Sequence, residues 1–295
     1  MKIIRSVGKE NIAHVYIGNI DNKVIEFAES LDYPKDIYEK WVLTISCLYG
    51  CPAKCLMCDA GKYYDGRMSK EAIISQIEYM ILKRFPDRNI PVKKFKIQFA
   101  RMGEPAFNLD VLEVLKELPN LYNAPGLIPS ISTIGPKNSE YFFDKIFNIK
   151  EDLYKNGKFQ LQISIHTTDI NKRDELIPIK KLSFTEISQI ADKFVKENDR
   201  KITLNFIVLE NYPIEPNVIA KYFDPNNFFI KLTPLNPTSN AIKNKLKNSV
   251  SSSTDIRIKD LLEEFDYLNY ESVVSFGNPE ENNIGSNCGQ YITNN

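Results

Sequence analysis

The stretch Trp41–Asp59, WVLTISCLYGCPAKCLMCD, contains the residues that decide the fold and chemistry of this chain. It opens with an apolar, β-branched run (41–46), which is typical of a buried strand. The loop that follows carries four of the five cysteines of the chain. No secretory signal opens the sequence, so we expect a cytoplasmic protein, in which crowded thiols indicate metal binding or catalysis rather than disulfides.

Three of these cysteines, Cys51, Cys55 and Cys58, have the spacing CxxxCxxC. Short loops of thiolates hold iron–sulfur clusters, and three ligands leave one iron open to a substrate. Structural zinc sites pair two CxxC motifs, or one such motif with histidines, and the chain has only two histidines, His14 and His166. The spacing therefore favours an iron–sulfur cluster, with a zinc site or redox-active or inert thiols as the alternatives.

Apolar runs alternate with amphipathic stretches after this first strand. The predicted strands are 41–46, 94–100, 128–135, 159–167, 201–210 and 227–236, and the predicted helices are 69–85, 109–118, 138–150 and 183–198. Repeated strand–helix–strand units indicate a parallel sheet with right-handed crossovers. We predict an α/β fold: a partial (β/α)6 TIM-like barrel over residues 41–240, with a short N-terminal β cap (1–40) and a C-terminal helix–strand extension (241–295).

The charge balance of the chain argues against a large polyanionic substrate. Lysine plus arginine (38) equals aspartate plus glutamate (38), so a strong positive field that would attract phosphates is not expected. The sequence has no run of about 18 apolar residues, so no membrane span is predicted. The polar stretch 236–255 predicts a mobile loop over one rim of the barrel, and we expect a monomer.

A CxxxCxxC loop after the first strand of a βα barrel resembles the radical-SAM superfamily. Further motifs, in matching order, narrow the resemblance to the RlmN/Cfr family of radical-SAM methyltransferases over about residues 41–291. They are Met102-Gly103-Glu104-Pro105, Ser132-Thr133, Ser164-Ile165-His166, Arg173–Ile179, Leu235-Asn236-Pro237 and Cys288-Gly289-Gln290. The resemblance implies a 4Fe–4S cluster on Cys51, Cys55 and Cys58, S-adenosyl-L-methionine (SAM) bound to its open iron, and an external one-electron reductant of the flavodoxin or ferredoxin type.

The same resemblance assigns roles to individual residues. Gly103 and Glu104 would hold the methionine amino group of SAM, and the pocket would also be lined by Ser132, Ser164, His166 and Asn236. Cys288 would be methylated by one SAM, and after hydrogen abstraction its methylene would attack an sp² carbon of the substrate. The general base of the family is a glutamate on the preceding strand, for which Glu29 is the nearest counterpart and Glu26 competes.

Two features depart from the family. The cysteine that resolves the covalent intermediate is replaced by Thr44, whose hydroxyl cannot form a disulfide. The only spare thiol, Cys47, lies three residues further on, and strand alternation predicts that it points to the opposite face. As a fourth cluster ligand, Cys47 would close the open iron.

The second departure concerns the N-terminal RNA-binding helical domain of RNA-modifying members, for which we expect no counterpart, since only some twenty residues precede the Glu29 strand. We therefore expect a C-methyltransferase that acts on a small molecule or a short segment of a partner, with RNA disfavoured. The alternatives are a hydrogen-abstracting radical-SAM enzyme without methyl transfer and an adenine C2-methyltransferase on RNA. An iron–sulfur electron carrier is the least favoured.

Overall fold

The computed structural model describes residues 1–31, 34–250, 252, 254–286 and 291. Its strands are β1 (Lys2–Lys9), β2 (Ala13–Ile20), β3 (Lys23–Leu31), β4 (Lys40–Ile45), β5 (Leu48–Gly50), β6 (Tyr64–Arg67), β7 (Lys94–Phe99), β8 (Leu127–Thr133), β9 (Gln160–Ser164), β10 (Ile202–Ile207), β11 (Phe228–Thr233) and β12 (Ser272–Val274). Its helices are α1 (Lys70–Arg84), α2 (Asp110–Leu121), α3 (Glu140–Leu153), α4 (Ile170–Leu176), α5 (Phe184–Phe194), α6 (Pro216–Ala220), α7 (Ser239–Lys243), α8 (Ile256–Tyr267) and α9 (Pro279–Ile284). Two 3₁₀ turns cover Asp59–Lys62 and Pro105–Phe107.

Ten strands form one sheet in the order β1-β2-β3-β4-β7-β8-β9-β10-β11-β12. The pairings from β1 to β4 are antiparallel, and those from β4 to β12 are parallel. Neighbours in the parallel part follow chain order, as right-handed βα units require. The predicted α/β class with a mostly parallel sheet is confirmed. Among the described strands β1 and β12 remain edges, so the sheet is open and a barrel is not established.

The three N-terminal strands extend this sheet instead of forming a separate layer. In β3, Ala28 lies opposite Thr44 and Glu29 lies opposite Leu43 of β4. The first strand of a parallel run has a free edge with unpaired backbone groups, and β3 satisfies them. The predicted cap is therefore an antiparallel continuation of the sheet.

The parallel strands present two different faces. In β4, Trp41, Leu43 and Ile45 are fully buried, whereas Val42 and Thr44 are only half-buried. The buried face packs in the main hydrophobic core together with apolar residues of α1 and α2. The other face is therefore the inner one, and it is available to line a cavity.

The helix boundaries follow local capping. The Ser183 side chain accepts a hydrogen bond from the Glu186 backbone NH, and the Glu186 carboxylate accepts one from the Ser183 backbone NH, which forms a capping box at the start of α5. In α1, Ser69 accepts from the Ala72 backbone NH. No helix among the described residues is long and apolar enough to cross a membrane.

Candidate functional site

The cysteine loop is enclosed by the β5–β6 hairpin. The backbone NH of Cys51 donates to the Tyr63 carbonyl oxygen at 3.0 Å, and that of Cys58 donates to the Cys55 carbonyl oxygen at 3.0 Å. Gly50, just before Cys51, has a φ of 81°, and a Cβ there would lie 2.1 Å from the Tyr63 carbonyl oxygen. The loop therefore needs glycine at this position to begin its turn.

The stretch predicted to be a mobile loop packs on the cysteine loop instead. Side chains of this stretch donate hydrogen bonds to three carbonyl oxygens of the cysteine loop: Thr238 to Met57 (2.7 Å), Asn240 to Cys58 (2.7 Å) and Asn244 to Leu56 (2.8 Å). The Asp59 carboxylate in turn accepts from the backbone NH groups of Ser239 (3.1 Å) and Asn240 (2.8 Å). The prediction of a mobile loop is wrong for residues 238–244, because a polar sequence can be ordered by hydrogen bonds to a neighbouring loop.

The three CxxxCxxC thiols share an apolar environment. Cys51 is buried and packs with Met102 and Leu176, while Cys55 and Cys58 are partly buried against the same residues. Burial raises the pKa of Cys51 to about 11, and it raises that of Cys55 well above its usual range, with the neighbouring thiols adding to the effect. Thiolates in this loop therefore need a cation to balance their charge.

The donor set of this loop fits an iron–sulfur cluster. It consists only of sulfur, which suits iron–sulfur chemistry, and its backbone is pinned on both sides. Within the described part of the chain, no three His, Cys, Asp or Glu side chains already converge as metal ligands. The Cys51 and Cys58 thiols nevertheless lie close enough to Cys55 to raise its pKa. A bound cluster would have to draw the three sulfur atoms closer together.

The Gly103–Glu104 turn after β7 is tightly built. Gly103 has a φ of 100°, and a Cβ there would lie 2.5 Å from the Leu48 side chain. The buried Glu104 carboxylate accepts from the backbone NH groups of Ala106 (3.0 Å) and Ile134 (2.9 Å) and from the Thr133 hydroxyl. A carboxylate offers about four acceptor positions, so one remains for a ligand ammonium group. Its contact with SAM stays a prediction.

The remaining predicted SAM residues occupy different positions along the sheet. Ser132 accepts hydrogen bonds from the Gln98 and Gln162 side chains at 3.3 and 3.1 Å on the inner face. Ser164 ends β9, and Asn236 lines a cavity of about 340 Å³ together with Thr44. The structure brings Asn236 and Thr44 to one cavity.

His166 is held in an unusual conformation directly after β9. It is buried with a φ of 65°, which is rare for a residue with a side chain. Burial, assisted by the positive charge of Arg173, lowers its pKa to about 3, so the imidazole is neutral. Its Nδ1 atom is buried and has no hydrogen-bond partner among the described residues. An unsatisfied nitrogen in a buried site is consistent with a ligand contact.

The two candidate glutamates face opposite sides of the sheet. The Glu29 carboxylate accepts hydrogen bonds from Tyr16 (2.6 Å), Trp41 (2.8 Å) and Arg84 (2.5 Å) on the helix-covered face. Glu26 lies two residues before Ala28, the partner of Thr44, so strand alternation places it on the inner face. Strand alternation therefore places Glu26 rather than Glu29 on the inner face, although Glu29 and not Glu26 is among the residues that line the Thr44 cavity.

One buried ion pair contacts described residues that lie on both sides of Cys288 in the sequence. Arg101 Nε lies 2.8 Å from Glu26 Oε1, and both side chains are fully buried. Arg101 also donates to the carbonyl oxygens of Gly285 (2.8 Å) and Ser286, while Glu26 accepts from the Tyr291 backbone NH at 3.0 Å. Cys288 itself lies outside the described residues.

The neighbours of that segment reach the Thr44 cavity. Ser286 lines this cavity together with Thr44, Gln98 and Asn236. By contrast, Cys47 is buried in the hydrophobic core, where its Sγ lies 3.6 Å from the Met102 carbonyl oxygen. Thr44 and Cys47 therefore occupy different environments, as strand alternation predicted.

Sequence reasoning missed the residues that connect these parts. Arg101 lies two residues after β7, and a charged residue so close to the end of a buried strand was the available signal. Thr133 was noted only as part of a motif, although its hydroxyl contacts Glu104. Asp59 directly follows the last cysteine of the motif, and its carboxylate is fully buried. In each case the partner is distant in sequence.

The described chain is an open, mostly parallel α/β sheet with three cysteines on the loop after its first parallel strand. A solved radical-SAM methyltransferase from Sphaerobacter thermophilus superposes with a TM-score of 0.73 at 17% identity, covering 98% of this chain and 80% of that one. This likeness establishes the fold. No family model matches the chain.

Sequence relatives of this chain are described as RlmN methyltransferases. The chain is 28% identical over 264 residues to a "probable dual-specificity RNA methyltransferase RlmN" of Fervidobacterium nodosum, covering 85% of this chain and 69% of the relative. A protein of the same description from Pseudothermotoga lettingae is 27% identical over 227 residues, with 74% and 62% covered. The chain thus spans about two thirds of the length of these relatives. The resemblance to the RlmN radical-SAM methyltransferases is confirmed, and with it the expectation of an enzyme.

Proposed function

We propose that this protein is a radical-SAM C-methyltransferase that uses Cys288 as its methyl carrier and acts on a substrate other than bulk ribosomal RNA. The observation that supports this most is the Arg101–Glu26 pair, which holds Gly285 and Ser286 on one side of Cys288 and Tyr291 on the other. Ser286 lies at the cavity that contains Thr44. Because residues on both sides of Cys288 are fixed, we propose that its thiol reaches this cavity with little loss of conformational entropy.

The cysteine loop and the turn after β7 would have different roles in cofactor binding. When bound, the 4Fe–4S cluster and SAM supply a one-electron cleavage that produces a 5′-deoxyadenosyl radical. Cys51, Cys55 and Cys58 would hold the cluster, and Gly103 and Glu104 would orient the methionine ammonium group.

Glu26 is the proposed base, because strand alternation places its side chain on the inner face of β3, the face on which Thr44 lines the cavity. It would accept the proton that leaves the substrate carbon after that carbon bonds to the Cys288 methylene. Arg101 would stabilise the Glu26 carboxylate before this transfer, since its guanidinium is already in contact. We propose Glu29, in contrast, as a structural group on the opposite face.

Thr44 alters the release step. It lines the cavity, but its hydroxyl cannot displace a thioether carbon by forming a disulfide. Cys47 is buried in the core and its pKa is raised well above the usual value by burial, so it is poorly suited to replace the missing thiol. The proposal therefore includes release without a protein disulfide. After Glu26 takes the proton from the substrate carbon, the C–S bond of the adduct would break homolytically, and the released methylene would gain a proton to become the product methyl group. The Cys288 thiyl radical would return to a thiol by taking one electron from the external reductant and one proton.

Mass analysis tests the proposed carrier. Protein incubated anaerobically with SAM and a chemical reductant should gain one methyl group, and peptide mapping should place it on Cys288. The Cys288→Ala variant should stay unmodified, whereas Cys47→Ala should be methylated like the wild type. An unmodified Cys288 alongside continued production of 5′-deoxyadenosine would replace this proposal with a hydrogen-abstracting enzyme.

The substrate part has a separate test. Affinity for protein-free ribosomal RNA should be weak and should disappear at physiological salt, because the chain has no net charge to release counterions. Efficient methylation of an adenine in protein-free ribosomal RNA would contradict this part and leave the Cys288 carrier intact.

A further inference from the structure

A second, larger cavity of about 690 Å³ lies on the inner face, at the N-terminal ends of the parallel strands. It adjoins the Thr44 cavity, since Val42, Gln98, Lys231 and Ser275 line both. Each has the size typical of a small-molecule site. The inner face of the sheet therefore presents one continuous space that runs from Thr44 towards Lys40.

The lining of this space is polar, unlike the packed apolar interior of a filled βα barrel. Gln160 donates to the Thr203 hydroxyl at 3.3 Å, and Gln162 donates to the Ser130 hydroxyl at 2.9 Å. These side chains satisfy one another and hold the wall in place. A polar wall with hydrogen-bonding capacity suits a hydrophilic ligand.

Two lysines project into this space without a counterion. Lys96 of β7 and Lys231 of β11 both line the larger cavity, and neither has a hydrogen bond or ion pair with any residue in the described ranges. The two acids of the lining are already paired: Glu271 with Lys201 at 2.5 Å, and Asp199 with Lys150. The cavity therefore carries uncompensated positive charge.

The lowered pKa values of Lys96 and Lys231 also indicate that positive charge in this cavity is not compensated. Burial lowers the pKa of Lys96 to about 7, and the nearby charges of Lys231, Lys94, Lys40 and Arg200 lower it further. Burial also lowers the pKa of Lys231. Like charges that face a shared cavity repel one another, and an anion between them would remove that penalty.

We propose that Lys96 and Lys231 bind an oxyanion, a phosphate or carboxylate group, carried by the substrate whose reacting carbon lies beside Thr44. In the strand register, Lys96 of β7 lies opposite Val42 of β4, which is two residues from Thr44. The proposed anion therefore lies about 7 Å from Thr44 along the strand direction. This inference names the substrate class of the proposed function: a small, polar, anionic molecule. It rests on that function for the position of the reacting carbon, but not for the anion site.

Binding measured without reductant or SAM separates the two proposals. Anaerobically purified protein is titrated calorimetrically with inorganic phosphate, pyrophosphate and citrate. We expect saturable binding of at least one of these anions, weakened about tenfold or more by Lys96→Met or Lys231→Met, as for the loss of a charge-assisted hydrogen bond. Lys116→Met is the matched control, because Lys116 lies on α2 in an exposed pair with Glu113. Preference for phosphate and pyrophosphate over citrate would identify a phosphorylated substrate, and the reverse a carboxylate.

A spectroscopic readout protects the test against misfolded variants. In wild-type protein with ¹³C-labelled lysine, the Lys96 ε-carbon should titrate with a low pKa that rises when the anion binds, because the anion stabilises the ammonium form. The proposal is overturned if none of the three anions binds saturably, or if folded Lys96→Met and Lys231→Met bind them as the wild type does. Neither result bears on the methylation of Cys288.

Discussion

Arg101 and Glu26 form a fully buried ion pair, with 2.8 Å between Nε and Oε1, although they are 75 positions apart in the chain. The pair joins the end of β7 to β3, and both partners also hold the C-terminal segment. A buried pair of this kind is a weak source of net stability, but its loss leaves an uncompensated charge. We infer that the main role of Arg101 is to position the tail.

The first prediction concerns this pair. Arg101→Met should lower the free energy of unfolding by about 3 kcal/mol and should release the tail, because Glu26 loses its partner and two carbonyl groups lose their donor. Hydrogen exchange over residues 279–291 should accelerate relative to the rest of the chain.

Arg84→Met is the matched control. It breaks the contact of Arg84 with buried Glu29 on the opposite face, so it should destabilise the protein without a selective change in the tail. Equal tail exchange in the two variants would show that the Arg101 contacts do not position this segment.

The second prediction separates the two glutamates. Glu26→Gln should reduce substrate methylation about 100-fold or more, as expected for loss of a general base. Glu29→Gln should lower stability by about 1–3 kcal/mol, because three donors lose a charged acceptor, with little effect on the rate. The two variants are compared by their single-turnover rates, measured at a temperature below the unfolding transition of each. A larger rate loss in Glu29→Gln would return the role of the base to Glu29.

Strand order and the two-sided character of the parallel strands were predictable, because alternation within each strand and amphipathic helices between strands are local signals. The faces that Glu26 and Glu29 occupy were not. Residues three apart on a strand face opposite sides, and only the pairing of Ala28 with Thr44 shows which side is the inner one.

Long-range polar contacts account for the other differences. The sequence 236–255 is hydrophilic, and local composition carries no information about a carboxylate 180 positions away. The buried Asp59 side chain nevertheless caps the start of α7. Arg101 and the tail were likewise unpredictable, since neither segment has a local pattern that identifies its partner.

The third prediction concerns metal binding. Replacement of Cys51, Cys55 and Cys58 together by alanine should abolish iron binding in anaerobically prepared protein. Cys47→Ala should retain the iron and lose about 1 kcal/mol of stability, because this side chain is buried in the core. Iron and sulfide analysis provides the measurement. Zinc as the bound metal, or unchanged iron in the triple variant, would contradict the assignment.

The fourth prediction follows from the lowered pKa of Lys96. Its folded-state pKa of about 7 lies below the unfolded value, so the unfolded chain binds more protons between about pH 7 and pH 10. The contribution of Lys96 to stability should therefore rise with pH across this window. Lys96→Met should remove that slope and stabilise the protein by about 1–3 kcal/mol near pH 6, where the ammonium is charged but desolvated.

Urea unfolding at several pH values provides the measurement for Lys96. Other charged groups line the same cavity and contribute to the profile, so the wild type must be compared directly with the variant; they are Lys40, Lys94, Lys231, Arg200, Lys201, Asp199 and Glu271. A Lys96→Met variant that is less stable than the wild type at pH 6 would show that the lysine has a counterion.

The fifth prediction concerns product release. Thr44→Cys places a thiol on the cavity wall, where it could attack a covalent adduct between Cys288 and the substrate. We expect faster turnover and less adduct than in the wild type, measured by intact mass during the reaction. A Thr44→Cys variant with unchanged adduct lifetime would show that this position does not reach Cys288.

The central claim is that Cys288 carries the methyl group, and isotope transfer tests it most directly. The protein is reacted anaerobically with SAM that bears a trideuterated methyl group, and the 5′-deoxyadenosine is analysed by mass spectrometry. If the radical abstracts hydrogen from the Cys288 methyl group, the 5′-deoxyadenosine formed after methylation should contain one deuterium, and Cys288→Ala should give none. Unlabelled 5′-deoxyadenosine, formed in equal amounts by wild type and Cys288→Ala, would contradict the account.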